Sequence, residues 1–241
     1  MLFIKIYPIF AHIKPKKMNS SNQPNGSITF HASLPYREIR SPKDYIYYKV
    51  RVCGGLGGDA ESDIVKRRAN CIKVLANLLQ VSIMHQHVAL YLVRFEGGES
   101  ADKIPAYAEA LVAIPSAMDQ EFKDIMIQGS CALQAQYVVT DPDVEVLLDT
   151  AVWHGNIIDE ESTRLLLADL NAIPTGPLEM RTGSIGTAIT CNSIGCVKMN
   201  RATSCFEIMI ICQSYKNDDL LLLASKIRQI LEVSGAEVKR L

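Results

Sequence analysis

Four glycines, two carboxylates and a few histidines and cysteines are the residues of this 241-residue chain that could do chemistry. Gly54, Gly55, Gly57 and Gly58 follow a β-branched run and precede an amphipathic segment. Glycine-rich strand-to-helix turns let a backbone approach another molecule closely, so a binding site is expected here. Asp59 and Glu61 come directly after them. An acidic pair in that place reads first as a helix N-terminal cap, and only second as a general acid–base system.

The spacing Gly55-x-Gly57-x-x-Ala60 formally fits the dinucleotide fingerprint. That fingerprint also needs a carboxylate roughly 20 positions further on to hold the ribose. Ala76 to Gln80 occupy that window with no acid, and the flanking strands read as antiparallel, which argues against a nucleotide. His85 and His87 would share one strand face, as in some metal sites. No nearby Asp, Glu or Cys has suitable ligand spacing, so they read as a solvated corner, and His154 as a loop residue. The seven cysteines are odd in number and form no CxxC pair; they read as small buried hydrophobes of a reducing compartment. There is no Gly-x-Ser-x-Gly elbow and no Cys/His pair that spacing could support. From the residues alone, no catalytic site is complete and no metal site is expected.

The composition narrows the classes further. With 48% hydrophobic and 21% charged residues the chain can bury a substantial core. A net charge of −1 and a pI near 6.5 leave no electrostatic footprint for nucleic acid, and Lys66, Arg67 and Arg68 stand as an isolated trio. The N-terminus, MLFIKIYPIFAHIKPKKM, is apolar first and basic afterwards, the reverse of a secretory signal. It is too short to span a bilayer and carries Lys5 and Pro8, so no membrane partner is expected. It reads as a poorly ordered lead or an extra edge strand on a cytoplasmic protein.

The elements that must position these residues emerge from periodicity. Residues 1–26 are expected to be an irregular lead ending in a polar linker, with 27–241 as one α+β domain in halves of about 27–140 and 141–241. Ser27 to Pro35 and Tyr45 to Cys53 read as strands. Ser62 or Asp63 is expected to cap a helix running to about Val81, burying Val65, Ile72, Ala76 and Leu79 and leaving Lys66, Arg67 and Lys73 in water. Strands are expected at Val88–Phe95 and Ala108–Ile114, and Ser116 with Asp119 resembles a capping box opening a helix to Tyr137. The second half reads as a strand from Val144 to Val152 and a helix from Asp159 to Ala172 stopped by Pro174. Short strands at Ser184–Thr190 and Gly195–Met199 and a stronger one at Cys205–Cys212 come next. A helix capped by Asn217 or Asp218 and ended by Gly235 leads to a last strand, Ala236 to Lys239. The pattern predicts two ferredoxin-like halves, with antiparallel sheets and helices mainly on one face.

VRVCGGLGGDAESDIVKRRANCIKVLANLL, from Val50 to Leu79, resembles without gaps the lid-domain segment of aminoacyl-histidine (Xaa-His) dipeptidases, di-zinc metallopeptidases related to carnosinases. In that family the segment reads roughly as strand, GxxGGHSGDD, then a helix carrying RANAN. Gly54, Gly57, Gly58, Asp63, Ile64, Lys66, Arg68, Ala69 and Asn70 match it. Phe95 to Gly98 followed by Ile104-Pro105 is similar to GGNLRNAIPREA, and Leu170 to Met180 to LPNGVIRM. Phe206 to Val238 is similar to the strand, helix and AGAEV close of the lid, so the resemblance covers about residues 27 to 239.

The resemblance implies absences as much as presences. In the family the zinc ligands and catalytic carboxylates sit in a separate domain flanking the lid, and neither flank is in this chain. It therefore implies no cofactor here, with zinc expected only alongside that missing domain. Its substrate-facing positions are altered. The His of GGHSG falls at Asp59, the Asn and Arg after the second Gly-Gly pair fall at Glu99 and Ala101, an Asn falls at Ser193, and an Arg falls at Gln213. An anion in place of a donor repels a peptide carboxylate, and an amide does not replace a guanidinium. The resemblance thus implies a lid fragment or degenerate paralogue, inactive by itself, that self-associates or docks on an active dipeptidase subunit. The alternatives are a working dipeptidase whose catalytic domain lies outside this chain, and a non-enzymatic binding or dimerisation module.

Overall fold

Ile28, Phe30, Ala32 and Leu34 alternate with less buried residues and form the inner side of the first strand, β1 (Gly26–Pro35). The same period-two rule builds β3 and the first half of β12, whereas β7 and β11 are buried on both sides, each apolar side chain contributing about 1.5–3 kcal/mol on burial. After β1 come β2 (Glu38–Arg40), β3 (Tyr45–Cys53), β4 (Gly58–Asp59), α1 (Cys71–Gln86), β5 (Tyr91–Gly98), β6 (Lys103–Ile104) and β7 (Ala108–Pro115). Next are α2 (Asp119–Tyr137), β8 (Glu145–Ala151), β9 (Asn156–Ile158) and α3 (Glu160–Ala172). The chain ends with β10 (Gly176–Met180), β11 (Ala188–Asn200), β12 (Cys205–Ser214), α4 (Asn217–Val233) and β13 (Glu237–Arg240). This computed structural model describes residues 26–86, 89–181 and 187–241. The lead up to residue 25, the side chains of His85 and His87, and the start of the expected strand at Ser184 lie outside them.

The fold is α+β, as the pattern predicts, but its long strands form one sheet, with β2–β9 and β4–β6 as separate two-stranded pairs. Nine strands run in the order β13-β1-β12-β11-β5-β7-β3-β8, with β10 beside β11, and every pairing is antiparallel. Pairing of Cys196 and Val197 with Gly98 and Gly97 joins β11 to β5 and merges the two expected halves. The first half runs strand–helix–strand–strand–helix–strand from β3 to β8. The second does not repeat that order: β1, from the start of the chain, lies between β12 and β13. Side chains of all four helices share one core with one face of the sheet, including Ile72 and Leu79 of α1, Phe122 of α2, Leu166 of α3 and Ile227 of α4.

Several local expectations are corrected. The helix expected from Ser62 or Asp63 is only a single 3-10 turn, Ile64–Lys66, which stops at Arg67 with φ of 54°. The true helix start is Asn70, whose Oδ1 accepts from the Lys73 N–H at 3.1 Å, so α1 begins seven to eight residues late. Val65 consequently packs in a small outer cluster with Ile64, Ile104 and Cys191, while Ile72, Ala76 and Leu79 are buried as expected. Lys73 is not in water: its Nζ donates to the carbonyls of Leu170 and Asn171 at 2.7 Å and to that of Ile173, at the C-terminal end of α3. Ser116 does not form a capping box, because its Oγ donates to the Asp44 carbonyl at 2.7 Å. Gly195–Met199 is no separate strand but the C-terminal part of β11, with a register shift at Gly195.

Candidate functional site

The glycine loop is positioned by its own chain on both sides. Leu56 N–H donates to Asp141 Oδ1 and Ala69 N–H to Asp141 Oδ2, each at 2.8 Å, so one buried carboxylate pins the loop and the lead into α1. Gly54 has φ of 76°, and a Cβ there would overlap the Asp143 carbonyl. Gly55 and Gly57 lie against Ala106 and Ile104, and Gly58 against Asp63 and Arg68. The close approach that the glycines permit is thus to the protein's own backbone and side chains, not to an open ligand face.

Beyond the loop, β4 pairs with β6 through Gly58–Ile104 and Asp59–Lys103, over the sheet face opposite the helices. Asp59 Oδ1 accepts from the N–H groups of Glu61 (2.9 Å) and Ser62 (3.0 Å), and Lys103 Nζ lies 3.6 Å from Oδ2. The Ser62 N–H above all holds this carboxyl below the usual carboxylate range. Asp59 is therefore a permanent anion spent on closing its turn.

Asp59 and Gln213 line one cleft of about 570 Å³, together with Glu61, Ser62, Cys191 and Tyr215. Gln213 is 6% exposed, and its Oε1 accepts from the Cys191 thiol at 3.4 Å. Ser193, 1% exposed, donates its hydroxyl to the Lys103 carbonyl at 3.2 Å and lines a second cavity. Ala101 is buried against Ala60 and Ile211, Glu99 is exposed, and neither lines either of these two cavities. Of the five positions taken from the resemblance, Asp59 and Gln213 thus line one cleft, Ser193 and Ala101 pack under the β4–β6 pair beside it, and Glu99 is exposed.

The Asp59 cleft carries two carboxylates and no cationic lining residue. Its thiol, Cys191, is pushed up to about 12, chiefly by burial and secondly by Glu61, so it offers no thiolate at neutral pH. Burial raises Cys71 and Cys212 to about 12 as well. His154 is exposed, and His31 Nε2 lies 2.7 Å from Glu207. Among the described residues no three His, Cys, Asp or Glu side chains come together as metal donors, so these residues do not fit a zinc centre.

Sequence reasoning missed Asp141 and Lys73. The turn-rich Thr140-Asp141-Pro142-Asp143 between a helix and a strand was the available signal for the first. Nothing local marks the second, because its acceptors lie about a hundred residues away at the end of α3.

No family model matches the chain, and no curated protein matches it in sequence. The crystal structure of aminoacylhistidine dipeptidase from Vibrio alginolyticus superposes with a TM-score of 0.81 at 18% identity, over 89% of this chain and 44% of that one. A hydantoinase/carbamoylase-family amidase from Burkholderia multivorans reaches a TM-score of only 0.37 at 12% identity, over 60% of this chain and 33% of that one. The chain therefore spans less than half the length of the dipeptidase it overlays, and what it shares with that part is the fold.

Proposed function

We propose that this chain is the lid of an aminoacyl-histidine dipeptidase-type protein, keeping the lid's architecture without a hydrolytic centre of its own. The observation that carries this reading is the superposition over 89% of the chain on an aminoacylhistidine dipeptidase. The chemistry of the cleft agrees with it. The turn that should present a donor to substrate holds Asp59, an anion already committed to two backbone N–H groups. Gln213, where the resemblance expects a guanidinium, brings no charge to offset it. Zinc would be held by donors outside the described residues. On this reading the protein is cytoplasmic and acts by self-association or by docking on an active dipeptidase subunit. No described helix is long and apolar enough to cross a membrane.

The purified chain, supplied with zinc and Xaa-His dipeptides, is expected to release no product. Hydrolysis that a chelator abolishes would overturn the proposal. Mixed with an active aminoacyl-histidine dipeptidase, the chain is expected to co-elute and alter the rate; neither effect would sink the docking part of the reading.

A further inference from the structure

The second cavity, about 460 Å³, opens between the turn after β4, the start of α1, the end of α2 and the start of β10. Arg67, Arg68 and Lys73 line it, and no carboxylate does. Of the acids of the flanking segments, Asp63 pairs with Lys66 (2.6 Å) and, at the longer distance of 3.6 Å, with the lining Arg68, while Asp141 is held by two backbone N–H groups.

The three cations differ in what they still offer. Lys73 gives its three protons to three carbonyls at the end of α3, so it contributes charge and no free donor. Arg68 gives one N–H to the Gly57 carbonyl at 2.5 Å and keeps others. Arg67 is exposed, and its guanidinium has no hydrogen-bond or ion-pair partner among the described residues. The lining also holds Thr140, whose Oγ1 is buried without a partner. A planar fork of free N–H groups at the mouth of a cation-lined cavity matches the oxygens of a phosphoryl or carboxyl group.

We propose that this cavity binds a small multivalent oxyanion through a phosphoryl or carboxyl group, with Arg67 as its principal donor and Arg68 and Lys73 as flanking charge. The proposal does not rest on the lid reading.

Thermal melting of the full chain in rising sodium phosphate, or rising sodium citrate, at ionic strength fixed with sodium chloride tests it. A saturable rise in Tm is expected, unlike the linear, sequence-independent stabilisation by salting-out anions. A response to phosphate alone identifies the phosphoryl group; a response to both anions identifies the shared oxyanion charge. In Arg67→Asn, which tolerates the left-handed backbone at this position, the midpoint should shift to roughly tenfold higher anion concentration. Arg40→Asn, an exposed cation outside the cavity, should respond as the parent does. Broadening of the phosphate phosphorus-31 resonance by the parent chain gives a readout independent of any variant. No saturable response to either anion, or equal responses in the two variants, would overturn the proposal.

Discussion

Two carboxylates behave oppositely in this protein because one is met by N–H groups and the other is buried without enough of them. Asp59 caps its own turn, so Asp59→Ala is expected to cost about 1 kcal/mol in urea denaturation, with Asp59→Asn retaining most of that. Its folded-state pKa lies below the unfolded value; its stabilising contribution is present at neutral pH and is lost as pH falls through the folded value. Asp169 in α3 is 4% exposed and accepts one bond, from Ser234 Oγ at 2.7 Å, while its other oxygen has no partner. Burial pushes it up to about 6. The sign is therefore reversed: its contribution is full below the unfolded value of about 4 and disappears as pH rises through the folded one. The melting temperature should fall across that window by an amount equivalent to about 1–3 kcal/mol, and Asp169→Asn should flatten the slope. A slope unchanged in the variant would assign it to another group.

At the scale of elements, the glycine loop and α1 illustrate how contacts between segments override local signals. Gly54 meets the Asp143 carbonyl where Gly235, also left-handed with φ of 88°, faces open space. Gly54→Ala should therefore cost about 3 kcal/mol or more, or abolish folding, while Gly235→Ala should cost about 1 kcal/mol, both read by urea titration. Equal costs would mean that backbone conformation, not the close approach, governs both sites. Lys73 supplies the matching case in a helix. Burial lowers its pKa to about 8, still above neutral pH, so a charged ammonium faces three carbonyls at the C-terminal end of α3. An exposed-face lysine by periodicity thus becomes the clasp between α1 and α3.

For the molecule as a whole, one main sheet and one main core have a thermodynamic consequence. The β5–β11 pairing and the core shared by all four helices leave no boundary at which the halves could part. Fluorescence of Trp153, the sole tryptophan, and far-ultraviolet circular dichroism are expected to trace one coincident urea transition. Two separated transitions would mean that the halves unfold independently despite the shared sheet.

Patterning in the chain was enough to establish the α+β class, the strand at Tyr45–Cys53 to the residue, and most of the later elements, because period-two and helical spacing record which side chains must leave water. The sequence also held the likeness from Val50 to Leu79 that pointed to a dipeptidase lid, a relationship the superposition supports at the level of fold. It took the folded molecule to decide what the glycines are for, that Asn70 rather than Ser62 or Asp63 starts α1, and that Asp59 and Gln213 line one cleft while Ser193 and Ala101 are buried beside it. The glycines, Ala101 and Ser193 depend on partners brought close by the fold: Asp143 against Gly54, Ile211 against Ala101, Lys103 against Ser193. Patterning records how much a residue is buried, but not which distant backbone atom will lie beside it.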